Sequence, residues 1–178
     1  CQHRGHELLV GDTGSGQSIT CPYHAWTYDL DGRLLFARGE PVGDLCVPAV
    51  RLDEMAGFLW VNLDEGATSL AETLPGIEGE LLAVAPTATG RTLPHRRTRL
   101  FDANWKIAVE NYNECYHCPN VHKAFTAGVV SPSSYRIASR GQAIRHSAEA
   151  PASTAYALAE GGQPYEAFFV FPASSIQC

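Results

Sequence analysis

The stretch Asn104-Trp-Lys-Ile-Ala-Val-Glu-Asn-Tyr-Asn-Glu-Cys-Tyr-His-Cys-Pro-Asn-Val-His122 joins a helical hydrophobic period to a set of metal-binding side chains. Trp105, Val109, Tyr112 and Tyr116 recur at three- and four-residue steps, which predicts one buried stripe of a helix, with Asp102 upstream as its N-cap. Glu110, Glu114 and His117 repeat the spacing on another face. Glutamates one turn apart repel by roughly 0.2–0.5 kcal/mol on a solvated helix; a divalent cation nearby reverses the sign. Pro119 lacks a donor and clashes with the preceding turn, so the helix is expected to end there, and His122 can fold back beside His117. A His-x4-His pair suits imidazole ligation of iron or zinc. The same letters also read as an amphipathic helix with a charged outer face, because short motifs arise by chance.

A second constellation opens the chain: Cys1-Gln-His3, then Cys21-Pro-Tyr-His24. Two thiolates and two imidazoles, presented as C-x-H and C-x-x-H, suit a [2Fe-2S] cluster with both thiolates on one iron and both imidazoles on the other. Neutral imidazoles in place of anionic thiolates raise the potential and make the cluster an easily reduced relay. The competing reading is a structural Cys2His2 zinc site, although zinc fingers usually pair Cys with Cys and His with His.

Composition sets the outer limits. The 178 residues are 45% hydrophobic and can bury a proper core. A net charge of -6 without any Lys/Arg block argues against a phosphate-tracking surface, so nucleic acid is not an expected partner. No apolar run reaches the length of a membrane span and no signal-peptide pattern opens the chain, from which a cytoplasmic protein is expected. Of the six cysteines, Cys1 and Cys21 each travel with a histidine and Cys115 and Cys118 lie within one helical turn, a spacing that favours metal over disulfide. With no initiating Met and an end at Ser-Ser-Ile-Gln-Cys178, the chain reads as an internal piece of a longer protein.

Cys1-Gln-His3-Arg-Gly and Cys21-Pro-Tyr-His24-Ala-Trp-Thr-Tyr-Asp-Leu-Asp-Gly resemble the cluster loops of Rieske proteins, and Asn104 to His122 resembles the iron motif of Rieske non-haem iron oxygenases. The two motifs stand in that family's order, and Gly57 to Asp64 is similar to a strand closing the Rieske domain. The resemblance implies an α+β fold. It places a mainly β Rieske [2Fe-2S] domain over 1–64, a linker over 65–90, and the first part of an α+β mononuclear-iron catalytic domain over 91–178. It further implies that Cys1, His3, Cys21 and His24 hold the cluster and that His117 and His122 hold iron, with a third, carboxylate ligand beyond residue 178. Glu114 matches the acidic residue that links a neighbouring subunit's cluster histidine to an iron histidine, so that electrons pass along His24, Glu114 and His117. A carboxylate can accept from both imidazoles and fix their tautomers.

Glu at position 114, where Asp is common in the family, resembles the branch that oxidises quaternary ammonium compounds such as choline, glycine betaine or carnitine. The implied protein is the large terminal oxygenase component, using O2 and electrons from NAD(P)H through a separate flavin/iron-sulfur reductase, as a homotrimer. An aromatic-ring-hydroxylating dioxygenase alpha subunit is the nearest alternative. A non-catalytic zinc-binding interaction module, using Cys115, Cys118 and His122 for one site, is the more distant one.

The remaining stretches give coarser expectations. Ser18–Thr20, Leu34–Phe36 and Phe58–Leu63 read as strands, and Asp31-Gly32 as a hairpin turn. Trp26 and Tyr28 read as core, Gly5 as a positive-φ position, and Cys46 as a small buried hydrophobe. Residues 65–90 are rich in Ala, Gly, Pro, Thr and Glu and read as linker or poorly packed segment, with a short helix around Leu81–Val84. Arg91–Phe101 is expected as a strand, with His95 to Arg99 as its solvated basic face. Lys123–Val130 reads as loop or short helix, Tyr135–Ser147 and Tyr165–Phe171 as strands, and Gly161-Gly162 as a flexible loop. Cys115 and Cys118 are expected as buried packing residues or as groups supporting the iron ligands.

Overall fold

The computed structural model describes residues 1–11, 13–92, 95–155 and 165–178, so Gly161-Gly162 lies outside the described residues. The chain divides into two compact units, Cys1–Arg51 with Val61–Ala67, and Leu52–Trp60 with Thr68–Cys178.

In the first unit, β1 (Ile19–Thr20), β2 (Thr27–Tyr28) and β3 (Leu34–Phe36) form an antiparallel sheet in sequence order. The turn between β2 and β3 is set by Asp29, whose Oδ1 accepts from Arg33 N–H at 2.8 Å, and by Gly32 at φ 85°. Tyr28, Leu34 and Ala37 are the buried centre, with Trp26, Leu8 and Val47 packed on them. Cys46 is exposed, contrary to the sequence expectation, and its thiol points at the Asp31 carbonyl at 3.6 Å.

A hairpin of β4 (Arg51–Met55) and β5 (Phe58–Asn62) turns through Ala56 and Gly57, at φ 52° and 82°. Positive φ at both central residues matches the right-handed twist of the flanking strands. A Cβ on Gly57 would sit 2.7 Å from the Thr89 Cα, so only glycine fits there.

The expected helix around Leu81–Val84 is present, but the reading of 65–90 as linker or poorly packed segment is overturned. This stretch holds α1 (Leu70–Thr73) and α2 (Ile77–Val84), and Leu74, Ile77 and Leu81 are fully buried against Met55, Ala56, Ala143, Phe168 and Val170. Ser69 and Glu72 form a reciprocal capping box on α1. Arg91–Phe101 is not a strand in its described residues, and those residues are exposed.

The second unit's sheet is antiparallel in the order β6 (Arg136–Arg140), β7 (Ala143–Ala148), β8 (Tyr165–Val170), β9 (Ser174–Gln177). Period-two alternation divides its side chains. Ala143 and Arg145 on β7, with Glu166, Phe168 and Val170 on β8, face α2. There Arg145 forks onto the buried Glu166 at 2.7 and 2.8 Å and reaches Glu80 at 3.1 Å. Ile144, His146 and Ala148, with Tyr165, Ala167 and Phe169, occupy the opposite face.

The stretch 104–122 is not one helix. Trp105–Tyr112 forms α3, capped by Asn104, whose Oδ1 accepts from Lys106 N–H at 3.0 Å in place of Asp102. The chain breaks at Asn113 and restarts as α4 (Cys118–Val121) and α5 (Lys123–Gly128). Pro119 stands in the first turn of α4, where its missing N–H costs nothing, so it begins a helix rather than ending one. The expected buried stripe is absent: Trp105 is 49% exposed and Tyr116 94%.

Candidate metal centres

The two loops of the first unit close in the same way. Gly5 N–H donates to the Cys1 carbonyl at 2.9 Å and Ala25 N–H to the Cys21 carbonyl at 3.0 Å. Gly5 and Ala25 both have positive φ, at 66° and 60°. An alanine in that conformation is disfavoured by about 1–2 kcal/mol, and the turn is held by Cys21 N–H donating to the Trp26 carbonyl at 2.7 Å. The His3 and His24 rings meet edge-on with centroids 4.6 Å apart, and Trp26 stacks on His3 at 4.8 Å. Cys21 is buried, while the Cys1 thiol lies 3.4 Å from the Tyr28 hydroxyl, which also accepts from Gln2 N–H.

His3 Nδ1 is buried without a hydrogen-bond partner among the described residues. Leaving such a nitrogen unmet costs about 1–3 kcal/mol, which ligation would remove. A two-iron cluster takes two protein ligands per iron, and two thiolates with two imidazoles divide evenly over two irons, so the donor set fits such a cluster.

In the second unit, the break after α3 brings Glu114, His117 and His122 together. His117 Nδ1–H donates to the Glu114 carboxylate, which fixes the tautomer and leaves Nε2 with a free lone pair. That Nε2 faces Nε2 of His122 at 3.1 Å. At that separation the two ring nitrogens would be able to hold one ion between them, as imidazole ligands of iron do. The His117 hydrogen bond, helped by Tyr116 N–H at 2.7 Å, holds the Glu114 carboxyl below the usual carboxylate range. Glu110 lies on α3, apart from this turn, and the pair of imidazoles has the chemistry to hold an iron ion.

Cys115 and Cys118 are joined in a disulfide across His117, so they are neither free packing thiols nor zinc ligands. The tether spans the turn that presents the histidine.

Beside these residues lies a cavity of about 960 Å³, lined by Tyr112, His117, His122, Phe125, Tyr135 and Tyr165 among others. Phe125 meets Tyr165 edge-on at 5.2 Å, and Tyr135 lies 6.3 Å from Tyr165. Burial pushes Tyr135 up to about 12 and raises Tyr165 as well, so both phenols stay neutral. Of the four aromatics Tyr165, Phe168, Phe169 and Phe171, Tyr165 reaches the cavity lining, Phe168 and Phe169 are core, and Phe171 is exposed.

The sequence reading passed over Asn113, Tyr135 and His146. His146 is 1% exposed and links Tyr135 (3.0 Å from Nδ1) to Asn113 (3.1 Å from Nε2). A histidine on the cavity face of an alternating strand was the available signal.

Comparison with known proteins agrees with both halves. The family model described as Rieske [2Fe-2S] domain matches residues 1–42, and that described as ring hydroxylating alpha subunit (catalytic domain) matches residues 66–167. The carnitine monooxygenase oxygenase subunit of Escherichia coli K12 is 36% identical across 99% of this chain and 49% of its own length. The glycine betaine monooxygenase oxygenase subunit of Pseudomonas aeruginosa UCBPP-PA14 is 34% identical across 68% of this chain and 29% of its own length. A crystal structure of the quaternary ammonium Rieske monooxygenase CntA with an inhibitor superposes at a TM-score of 0.86 and 32% identity, over 99% of this chain and 49% of that one. The chain spans about half the length, or less, of the relatives it matches. Residues 1–178 belong to the alpha subunits of the Rieske ring-hydroxylating oxygenases.

Proposed function

We propose that the protein is the terminal oxygenase component of a Rieske system that hydroxylates a carbon next to nitrogen in a quaternary ammonium compound such as carnitine or glycine betaine. The observation that carries this reading is the Glu114–His117–His122 arrangement opening onto an aromatic-walled cavity. Its likeness to relatives named for carnitine and glycine betaine oxidation supports it. In this reading Cys1, His3, Cys21 and His24 hold the cluster, and His117 and His122 hold the iron with a carboxylate from outside this stretch. When bound, the cluster supplies electrons and the iron supplies open positions for dioxygen and substrate.

The chain's own groups set the stage for that chemistry. Glu114 accepts the His117 Nδ1–H on one oxygen and Tyr116 N–H on the other, and its remaining lone pairs can accept a cluster histidine of a neighbouring subunit in a homotrimer. Faces of Phe125, Tyr135 and Tyr165 attract a trimethylammonium group, whose charge cannot be neutralised by proton loss. The reaction balances as substrate C–H plus O2, two electrons and two protons giving C–OH plus water. The α-hydroxylated ammonium then loses its amine as the C–N bond breaks and the hydroxyl proton leaves, giving a carbonyl compound. Electrons come from NAD(P)H through a separate flavin/iron-sulfur reductase. No helix among the described residues is long and apolar enough to cross a membrane.

The test is turnover by the full-length protein with a reductase and O2. L-Carnitine should yield trimethylamine, or glycine betaine should yield formaldehyde. No product from either, with cis-dihydroxylation of an aromatic acid instead, would replace this reading by ring dihydroxylation.

A further inference from the structure

His146 is a buried titratable group with no place in the chemistry described so far. It stands on β7 opposite Ala167, whose small side chain leaves room for the ring between the sheet and the end of α3. Its hydrogen-bond partners fix the direction of every proton around it. Asn113 Nδ2–H donates at 2.9 Å to the Val109 carbonyl, which also accepts the Asn113 backbone N–H, so Asn113 Oδ1 must be the atom that faces His146. His146 Nε2–H therefore donates to Asn113 at 3.1 Å, and the neutral ring's Nδ1 accepts from the Tyr135 hydroxyl at 3.0 Å. Tyr165 lies beside Tyr135, with ring centroids 6.3 Å apart. The result is a chain running from the cavity wall to the residue immediately before Glu114.

We propose that His146 is a positioning residue with two arms: Nδ1 holds the Tyr135 hydroxyl at the cavity wall, and Nε2 holds Asn113 and so places the turn that carries Glu114 and His117. This rests on the reading of Glu114, His117 and His122 as the iron-site residues. The two arms separate a substrate-binding effect from a metal-holding effect, because each can be cut alone. In His146→Asn the amide oxygen falls near the place of Nδ1, keeping Tyr135 while losing Asn113. In His146→Gln the amide nitrogen falls near the place of Nε2, keeping Asn113 while losing Tyr135.

The experiment compares both variants and Tyr135→Phe with wild type in the full-length, iron-loaded protein. Chelator competition reads retention of the mononuclear iron, and steady-state kinetics with L-carnitine and glycine betaine read KM and kcat. His146→Asn should release iron about 10-fold more readily and lose kcat, while keeping KM. His146→Gln and Tyr135→Phe should hold iron as wild type does and raise KM about 10-fold at nearly constant kcat. Thermal melts of all four proteins accompany these. Equal iron retention and equal KM in all of them would overturn the proposal. So would parallel losses in both His146 variants that track a shared drop in melting temperature, since that is what a merely structural histidine would give. Should wild type turn over neither substrate, the proposed function fails, while the iron-retention comparison still decides the Asn113 arm.

Discussion

A carboxylate, two imidazoles and one tautomer carry the account at the scale of single residues. His117 presents Nε2 because Glu114 takes the proton on Nδ1. Glu114→Gln keeps the side chain's length but removes its charge. Both metals should remain bound, and single-turnover transfer from cluster to product should slow about 10–100-fold; an unchanged rate would remove Glu114 from the electron path. His146 gives a second prediction, in pH. Burial lowers its folded-state pKa below the ordinary value of 6.5, so below that pH the unfolded chain binds a proton the folded one resists. Its contribution is present in full above about pH 6.5 and is lost as pH falls towards the folded pKa, by at most about 1.4 kcal/mol per pH unit. Among the described residues, the groups that meet its ring by hydrogen bond or ring contact are the neutral Tyr112, Tyr135 and Asn113. Denaturation from pH 7.5 to 5 should therefore show a steeper loss in wild type than in His146→Gln. Equal slopes would mean that His146 is already protonated or solvated.

The residues at this scale were unequally legible. Glu114, His117 and His122 lie within nine positions of one another, so local spacing sufficed to single them out. Asn113 and His146 are 33 positions apart and meet only because β7 passes behind α3, a pairing that no local period encodes.

The elements show where local patterns mislead. Trp105 to Tyr116 has a helical period, yet the helix stops at Tyr112, and the C-cap Asn113 adds a side-chain hydrogen bond to the Val109 carbonyl that its own backbone N–H already meets. The three- and four-residue spacing that seemed to align Glu110, Glu114 and His117 on one face is in fact split between a helix and a turn. The segment 65–90 misled in the other direction. Its overall composition is that of a linker, but Leu74, Ile77 and Leu81 are spaced as a helical stripe and are buried. Leu81→Ala should therefore destabilise the protein by about 2–5 kcal/mol in denaturant unfolding, as truncation in a packed core does. A cost below about 0.5 kcal/mol, typical of a surface change, would mean that α2 does not hold the sheet. The cluster loops were the most legible elements, since their ligands and their closing turns are all local.

At the scale of the whole molecule, the proposed electron path runs between subunits. Glu114 accepts from His117 on one oxygen and from Tyr116 N–H on the other, and the cluster histidine that its remaining lone pairs would serve belongs to a neighbour. That predicts complementation. Subunits carrying His24→Ala, without a working cluster, mixed with subunits carrying Glu114→Gln should recover about a quarter of wild-type turnover by random assembly in a cyclic oligomer, although each homogeneous variant is nearly inactive. No recovery in verified mixed oligomers would confine transfer to one subunit.

The central claim is that these residues serve a [2Fe-2S] cluster and a separate iron. It is tested most directly on full-length protein purified without air, by iron and acid-labile sulfide content together with the EPR spectrum after reduction. The account predicts about three irons and two sulfides per chain, with a reduced-cluster signal whose average g lies below that of all-cysteine clusters. Zinc without sulfide, and no signal on reduction, would contradict it and leave a metal-stabilised binding module in its place.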